Sequence, residues 1–197
     1  MIITPHPERA KFSTRLGALG RNKDVTFDGE LFRFVNPAYS TNADIVNGMG
    51  AQHASGRWNL AGPIRVSYTA TAPMTALAEA LSSVRYYHLP EAKAMPRVIV
   101  AVRLKASCVL DLRDGKVRNM LRLSEKTIRT LDWRAENQNG REAVTQAWGH
   151  AFSAAGFEAV IVPSAADDGG TNLLVFPQNL QPGSLFEVKD EVKWPGK

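Results

Sequence analysis

Apolar residues in this chain fall into short clusters separated by polar stretches rich in glycine and proline, and their spacing predicts most of its elements. In "ELFRFV" (30–35) the alternation has period two, a strand with Leu31 and Arg33 on one side and Phe32 and Phe34 on the other. "IRVSY" (64–68), after the Gly62-Pro63 turn, reads as a second strand. "RVIVAVRL" (97–104) is almost continuously apolar, as suits a strand in the middle of a sheet, and "CVLDL" (108–112) reads as a further strand. "FEAVIVP" (157–163) and "NLLVF" (172–176) follow, with "SLFEV" (184–188) as a last edge strand. Two segments instead have a helical period. "TAPMTALAEALSSVRYY" (71–87) starts with Thr71 as a cap and Pro73 in its first turn, and carries the stripe Met74, Leu77, Leu81 and Val84. "REAVTQAWGHAFSAAG" (141–156) places Val144, Ala147, Trp148, Ala151 and Ala155 on one face and stops at Gly156. A shorter helix is predicted from Ser124, its cap, to about residue 133.

Strands interrupted by a few helices, without strict β-α-β alternation, indicate an α+β fold. Residues 1–28 have no clear periodicity and read as an N-terminal extension to a single domain over 29–197. Residues 36–56 are polar and carry Gly48, Gly50 and Gly56, which predicts a long loop and a lid. Neither a phosphate-binding G-x-x-x-x-G-K-[ST] nor a glycine-rich dinucleotide turn occurs.

Composition narrows the class. With 197 residues, 44% of them hydrophobic, the chain can bury a substantial core. The single cysteine, Cys108, excludes an intrachain disulfide, and four scattered histidines give a metal site no support. No apolar run is long enough to span a membrane and the first residues are charged, so a cytoplasmic location is expected. The net charge of +5 is concentrated in residues 113–134, with seven Arg or Lys against three Asp or Glu. That segment fits a solvated basic face better than a nucleic-acid surface, because no aromatic interleaving accompanies it.

Six residues stand out as chemistry. Glu79 lies opposite the apolar stripe of its helix, and its neighbours one turn away are Thr75, Ala76, Ser82 and Ser83 in place of Lys or Arg. A plain surface glutamate and a carboxylate facing a cleft are both open on this pattern. Arg57, after Gly56, is placed to aim a guanidinium at phosphate or carboxylate or to stack on Trp58. Arg33 is a charge within a strand, and Tyr68 ends one. Ser164 follows "AVIVP" without a G-x-S-x-G elbow or a matching histidine, which favours a positioning hydrogen bond over nucleophilic attack. Asn172, after "DDGGT", holds a loop or caps a turn.

Taken in order, "LFRFV", "SGRWN", "VSYTATAPMTALAEAL", "VIVPSA" and "TNLLVF" resemble the RES domain, named for an arginine, a glutamate and a serine. The resemblance covers about residues 30 to 177 and matches Arg33 and Arg57 to the two arginines, Tyr68 to the tyrosine, Glu79 to the glutamate, Ser164 to the serine and Asn172 to the asparagine. It implies an ADP-ribosyltransferase-like domain with mostly antiparallel sheets and flanking helices, which binds NAD as substrate without a metal. The implied activity is that of a toxin paired with an antitoxin, cleaving the nicotinamide glycosidic bond by hydrolysis or phosphorolysis. In this reading Glu79 faces the ribose and its developing cation, Arg33 and Arg57 the pyrophosphate, and Tyr68 the nicotinamide ribose, while Ser164 and Asn172 orient the nicotinamide side or the loop. Mono-ADP-ribosylation of a cellular protein shares the same half-reaction and is the alternative. A non-enzymatic nucleic-acid-binding module is the second alternative. A monomer and a homo-oligomer are equally compatible with the sequence.

Overall fold

The structure, a computed structural model, describes residues 2–20 and 24–193, the last four by backbone alone. Residues 1 and 21–23 of the expected extension and 194–197 of the expected domain lie outside the described residues. In chain order the elements are α1 (Arg9–Leu19), β1 (Asp24–Val35), α2 (Asn42–Val46), α3 (Gly50–His53), β2 (Ser67–Ala70), α4 (Pro73–Tyr86) and β3 (Val98–Asp111). There follow α5 (Gly115–Leu121), α6 (Glu125–Thr130), α7 (Trp133–Gln138), α8 (Val144–Ala154), β4 (Ala159–Pro163), β5 (Thr171–Val175) and β6 (Leu185–Lys193). The fold is α+β, as expected.

The six strands run in the order β1-β2-β5-β4-β3-β6, and β1 also pairs with β3, so five of them close into a ring with β6 on its outside. Among the pairings of these strands in the described residues, only β3–β4 is parallel. Closure depends on the length of β3: one edge carries β1, and the other carries β6 over Val98–Lys105 and β4 over Val109–Asp111. The two strands expected at 97–104 and 108–112 are therefore one. Lys105 and Ser107 are exposed and Ala106 between them is buried, and a bulge at 107–108, opposite Val25–Phe27, shifts the register without ending the strand, so Leu104 and Ala106 face one core and Cys108 and Leu110 the other.

Two cores lie on the two faces of the ring's central strands. Along β4, Val160 and Val162 pack with α1, α5, α6 and α8, while Ala159 and Ile161 pack with Leu31 of β1, Val100 and Val102 of β3 and Ile45 of α2. Burial on both faces is why "AVIVP" reads as a continuous apolar run.

Several expectations are corrected here. The N-terminal extension contains α1, whose Phe12, Leu16 and Leu19 are buried in the first core, with Phe12 stacked on Trp148 of α8 at 4.1 Å. Ahead of α1, the Thr4 N–H donates to the Gly140 carbonyl and the Glu142 N–H to the Thr4 carbonyl. The expected loop 36–56 holds α2 and α3, and Ile45 within it is fully buried. The strand near 64–68 is displaced to β2, because Ser67–Ala70 pair with Asn172–Val175 of β5. Helix α4 is capped by Ala72, not Thr71, whose N–H and hydroxyl both donate to the Thr171 carbonyl. The expected stripe is also rotated: Met74 is 69% exposed, and Thr75 and Ala76 are buried with Leu81. Thr75 turns inward because its hydroxyl donates to Asp167 and because Gly170 leaves room beside it. Ser124 does cap α6, accepting the Thr127 N–H at 3.0 Å, and Gly156 does stop α8, with φ of 82°.

Candidate active site

A cavity of about 930 Å³ opens between β1, β2, α4 and α7. Its wall includes Arg33, Arg57, Tyr68, Glu79 and Asn172, five of the six residues singled out in the sequence. Ser164 is absent from that wall; it is fully buried behind Glu79.

Glu79 projects from the middle of α4 toward the start of β5. Its Oε1 accepts both the Ser164 hydroxyl and the Asn172 side-chain N–H, each at 2.6 Å. The Ser164 oxygen in turn accepts the backbone N–H groups of Ala166 and Asp167, both at 3.1 Å. Those two donors fill the acceptor side of the hydroxyl, so its proton is directed at the carboxylate. Two donors on one oxygen fix the Glu79 rotamer, while Oε2 has no hydrogen-bond partner among the described residues. The Ser164 hydroxyl thus touches Glu79, while its oxygen holds the loop after β4 through Ala166 and Asp167. Asn172 holds Glu79 as well, and its Oδ1 is buried without a partner.

Arg33 lies on the core face of β1 between Leu31 and Val35, as the alternation predicts. Its Nη1 donates to the Ile45 carbonyl and the Ser67 hydroxyl, and its Nε is buried with no partner. Burial holds its pKa down to about 10, which leaves it a cation at neutral pH, stripped of water and without a carboxylate partner among the described residues. Arg57 donates from Nη1 to the carbonyls of Ile128 and Leu131, at 3.1 and 2.8 Å, closing the end of α6; it does not stack on Trp58. Burial lowers its pKa, Glu79 opposes that shift, and Arg134 adds to it.

The "GRWN" turn is built around Tyr68. Its hydroxyl donates to Asn59 Oδ1 at 2.8 Å and accepts the Trp58 N–H at 3.1 Å. A Cβ at position 56 would lie 2.7 Å from the Tyr68 oxygen and 2.8 Å from Asn59 Oδ1, so glycine is required by the close approach. Burial raises the Tyr68 pKa, keeping the phenol neutral. Asn59, 1% exposed, spends its amide N–H groups on the Ala51, Ala54 and Leu60 carbonyls, and Gln146 of α8 donates to the Gly56 carbonyl. At Gly149 of the same helix an added Cβ would overlap the Trp58 carbonyl at 1.8 Å. Asn59, Gln146 and Gly149 carry no chemistry that sequence reading singles out; their burial alone reveals them.

An order shared by several motifs, Arg33 to Asn172, now has a shared place, and comparison with known proteins agrees. The family model described as RES domain matches residues 30–195. The chain belongs to the RES domain family. Its fold is similar to a chain in the crystal structure of the M. tuberculosis MbcT–MbcA toxin–antitoxin complex, with a TM-score of 0.70 and 22% identity over 93% of this chain and 91% of that one. No curated protein matches the sequence. The RES domain match includes all six residues of the site and begins after α1, which nevertheless packs into the same core.

Beyond those six, Tyr86 at the end of α4 and Trp133 and Arg134 at the start of α7 also line the cavity. The signal for them is the aromatic–arginine pair opening "DWRAENQ", which lies in the basic stretch 113–134. Three of its seven basic residues are ion-paired: Arg113 with Asp111, Arg118 with Glu125, and Arg129 with Asp168. Among the described residues no group of three or more His, Cys, Asp or Glu is arranged to hold a metal, and no helix is long and apolar enough to cross a membrane.

Proposed function

We propose that this RES domain protein is a cytoplasmic toxin that binds NAD and cleaves the bond between its nicotinamide and ribose, depleting NAD by hydrolysis or phosphorolysis and held in check by an antitoxin. The observation that carries the reading is the state of Glu79. Among the described residues one carboxylate oxygen is fixed by two donors and the other is uncommitted, in a cavity whose wall bears Arg33 and Arg57 with no carboxylate within ion-pair distance. Among the described residues Glu79 is the acidic side chain on that wall.

Cleavage breaks the bond from ribose C1′ to the pyridinium nitrogen. The electron pair leaves with nitrogen, nicotinamide departs neutral, and positive charge develops on the ribose. A fixed carboxylate beside the ribose stabilises that charge more than the ground state, which is the condition for catalysis. An oxygen of water or phosphate then adds to C1′; with water, one proton is released. Arg33 and Arg57 supply the charge for the pyrophosphate, and a desolvated guanidinium favours a phosphate over water. The fold shared with a chain of a toxin–antitoxin complex supports the antitoxin.

The test is incubation of the protein with NAD, with and without inorganic phosphate, following nicotinamide and the ribose-side product. Release of nicotinamide with free ADP-ribose supports hydrolysis, and a phosphate-dependent product supports phosphorolysis. Label from NAD appearing on a protein with no free ribosyl product moves the reading to ADP-ribosylation.

A further inference from the structure

The wall around Glu79 accounts for one end of the cavity. Along α4 the residues facing it continue through Ser82 and Ser83 to Tyr86, seven residues beyond Glu79 and so about 10 Å further along the helix axis. At that far end Arg134 of α7 lies against two rings, with its guanidinium carbon 4.8 Å from the Tyr86 centroid and 4.4 Å from the Trp133 centroid. The Tyr86 ring is itself fixed. The Tyr86 hydroxyl donates to Asp132 at 2.8 Å, and the same carboxylate accepts the Ala135 N–H at 2.9 Å, so the tip of α4 is tied to the first turn of α7.

Arg134 has no ion-pair partner among the described residues, although Asp132 is its neighbour in sequence. Its charge is felt at Arg57, whose pKa it lowers, so the two cations share one field across the cavity. A guanidinium held over aromatic rings joins them in the kind of surface on which nucleobases stack, and its N–H groups can also take a phosphate.

We infer that Tyr86, Trp133 and Arg134 form a subsite for a purine nucleoside monophosphate, the half of the dinucleotide remote from the scissile bond. The base stacks on the aromatic–guanidinium cluster, and the N–H edge of Arg134 takes the phosphate, with the serines of α4 leaving room for the pyrophosphate to pass toward Arg57. The inference rests on the reading of NAD as substrate and deepens it, by giving the dinucleotide an anchor at each end of a cavity of about 930 Å³, near the upper end of the ~300–1,000 Å³ usual for small-molecule sites.

Two measurements test it. AMP, as the probe, is titrated into wild type and Arg134→Gln and followed by calorimetry; Arg134→Lys, which keeps the charge and loses the planar fork, is the second variant should Arg134→Gln not fold. Binding of AMP weakened at least fivefold by either variant is expected, and a smaller change or no AMP binding to wild type overturns the subsite. In parallel, the ratio of kcat/KM for NAD to that for nicotinamide mononucleotide, which lacks the AMP half, is expected to fall at least fivefold in the variant; equal losses on both substrates contradict the inference. If wild type cleaves neither substrate, the NAD-cleavage reading fails, and AMP binding still decides the subsite.

Discussion

Glu79 is held from behind. Ser164 and Asn172 both donate to its Oε1, and the Ser164 oxygen is saturated by two backbone N–H groups, a geometry that leaves the hydroxyl no lone pair directed into the cavity. Ser164→Ala is therefore expected to lower kcat about tenfold, because Asn172 still orients the carboxylate, and to cost about 1–3 kcal/mol of stability by orphaning buried N–H groups. Steady-state kinetics and thermal melting check this. Activity abolished as fully as by loss of Glu79 would mean that the serine does chemistry itself. The carboxylate and its serine were both legible in the sequence, Glu79 from its small neighbours and Ser164 from its place after a strand. What the sequence could not reveal is that they touch, since a separation of 85 residues is bridged only when β4 and β5 pair.

The tight turn from Gly56 to Asn59 shows how a short segment carries a site. Gly56 admits the Tyr68 hydroxyl, Asn59 receives it, and α8 presses on Trp58 through Gly149. Gly56→Ala is expected to destabilise the protein by about 1–3 kcal/mol, the usual cost of forcing an extra group into a packed site, and to raise KM for the substrate by displacing Tyr68 and the adjoining Arg57. Denaturant unfolding with KM measured on the same sample checks both effects. Helix α4 shows where periodicity misleads. An apolar stripe through Met74 is a sound expectation for an amphipathic helix, yet the bond from Thr75 to Asp167 turns the first turn so that methionine faces solvent. For Glu79 the pattern of small neighbours leaves a solvated and a cleft-facing position both open, and only the packed structure puts the side chain on the cavity wall.

Closure of five strands into a ring puts β4 and β5 between two cores, and it is against the first of these that α1 packs. Phe12, Leu16 and Leu19 recur at helical spacing, a signal diluted in the sequence by the surrounding lysine, arginines and glycine. Phe12→Ala is expected to cost about 3–5 kcal/mol, since the ring is fully buried on Trp148. A melting temperature within a degree or two of wild type would show that α1 is dispensable to the domain. The order of strands, by contrast, follows from pairings between residues far apart, such as Phe32 with Ala70, which no local pattern encodes. The claim on which the whole account depends is that Glu79 is the charge that cleaves NAD. The most direct measurement is nicotinamide release from NAD by wild type and by Glu79→Gln, an isosteric change, with melting curves of both. The account predicts release by wild type and a loss of about 10²–10³-fold in the variant at an unchanged fold, the scale of removing one preorganised electrostatic group. Full release by folded Glu79→Gln would contradict it.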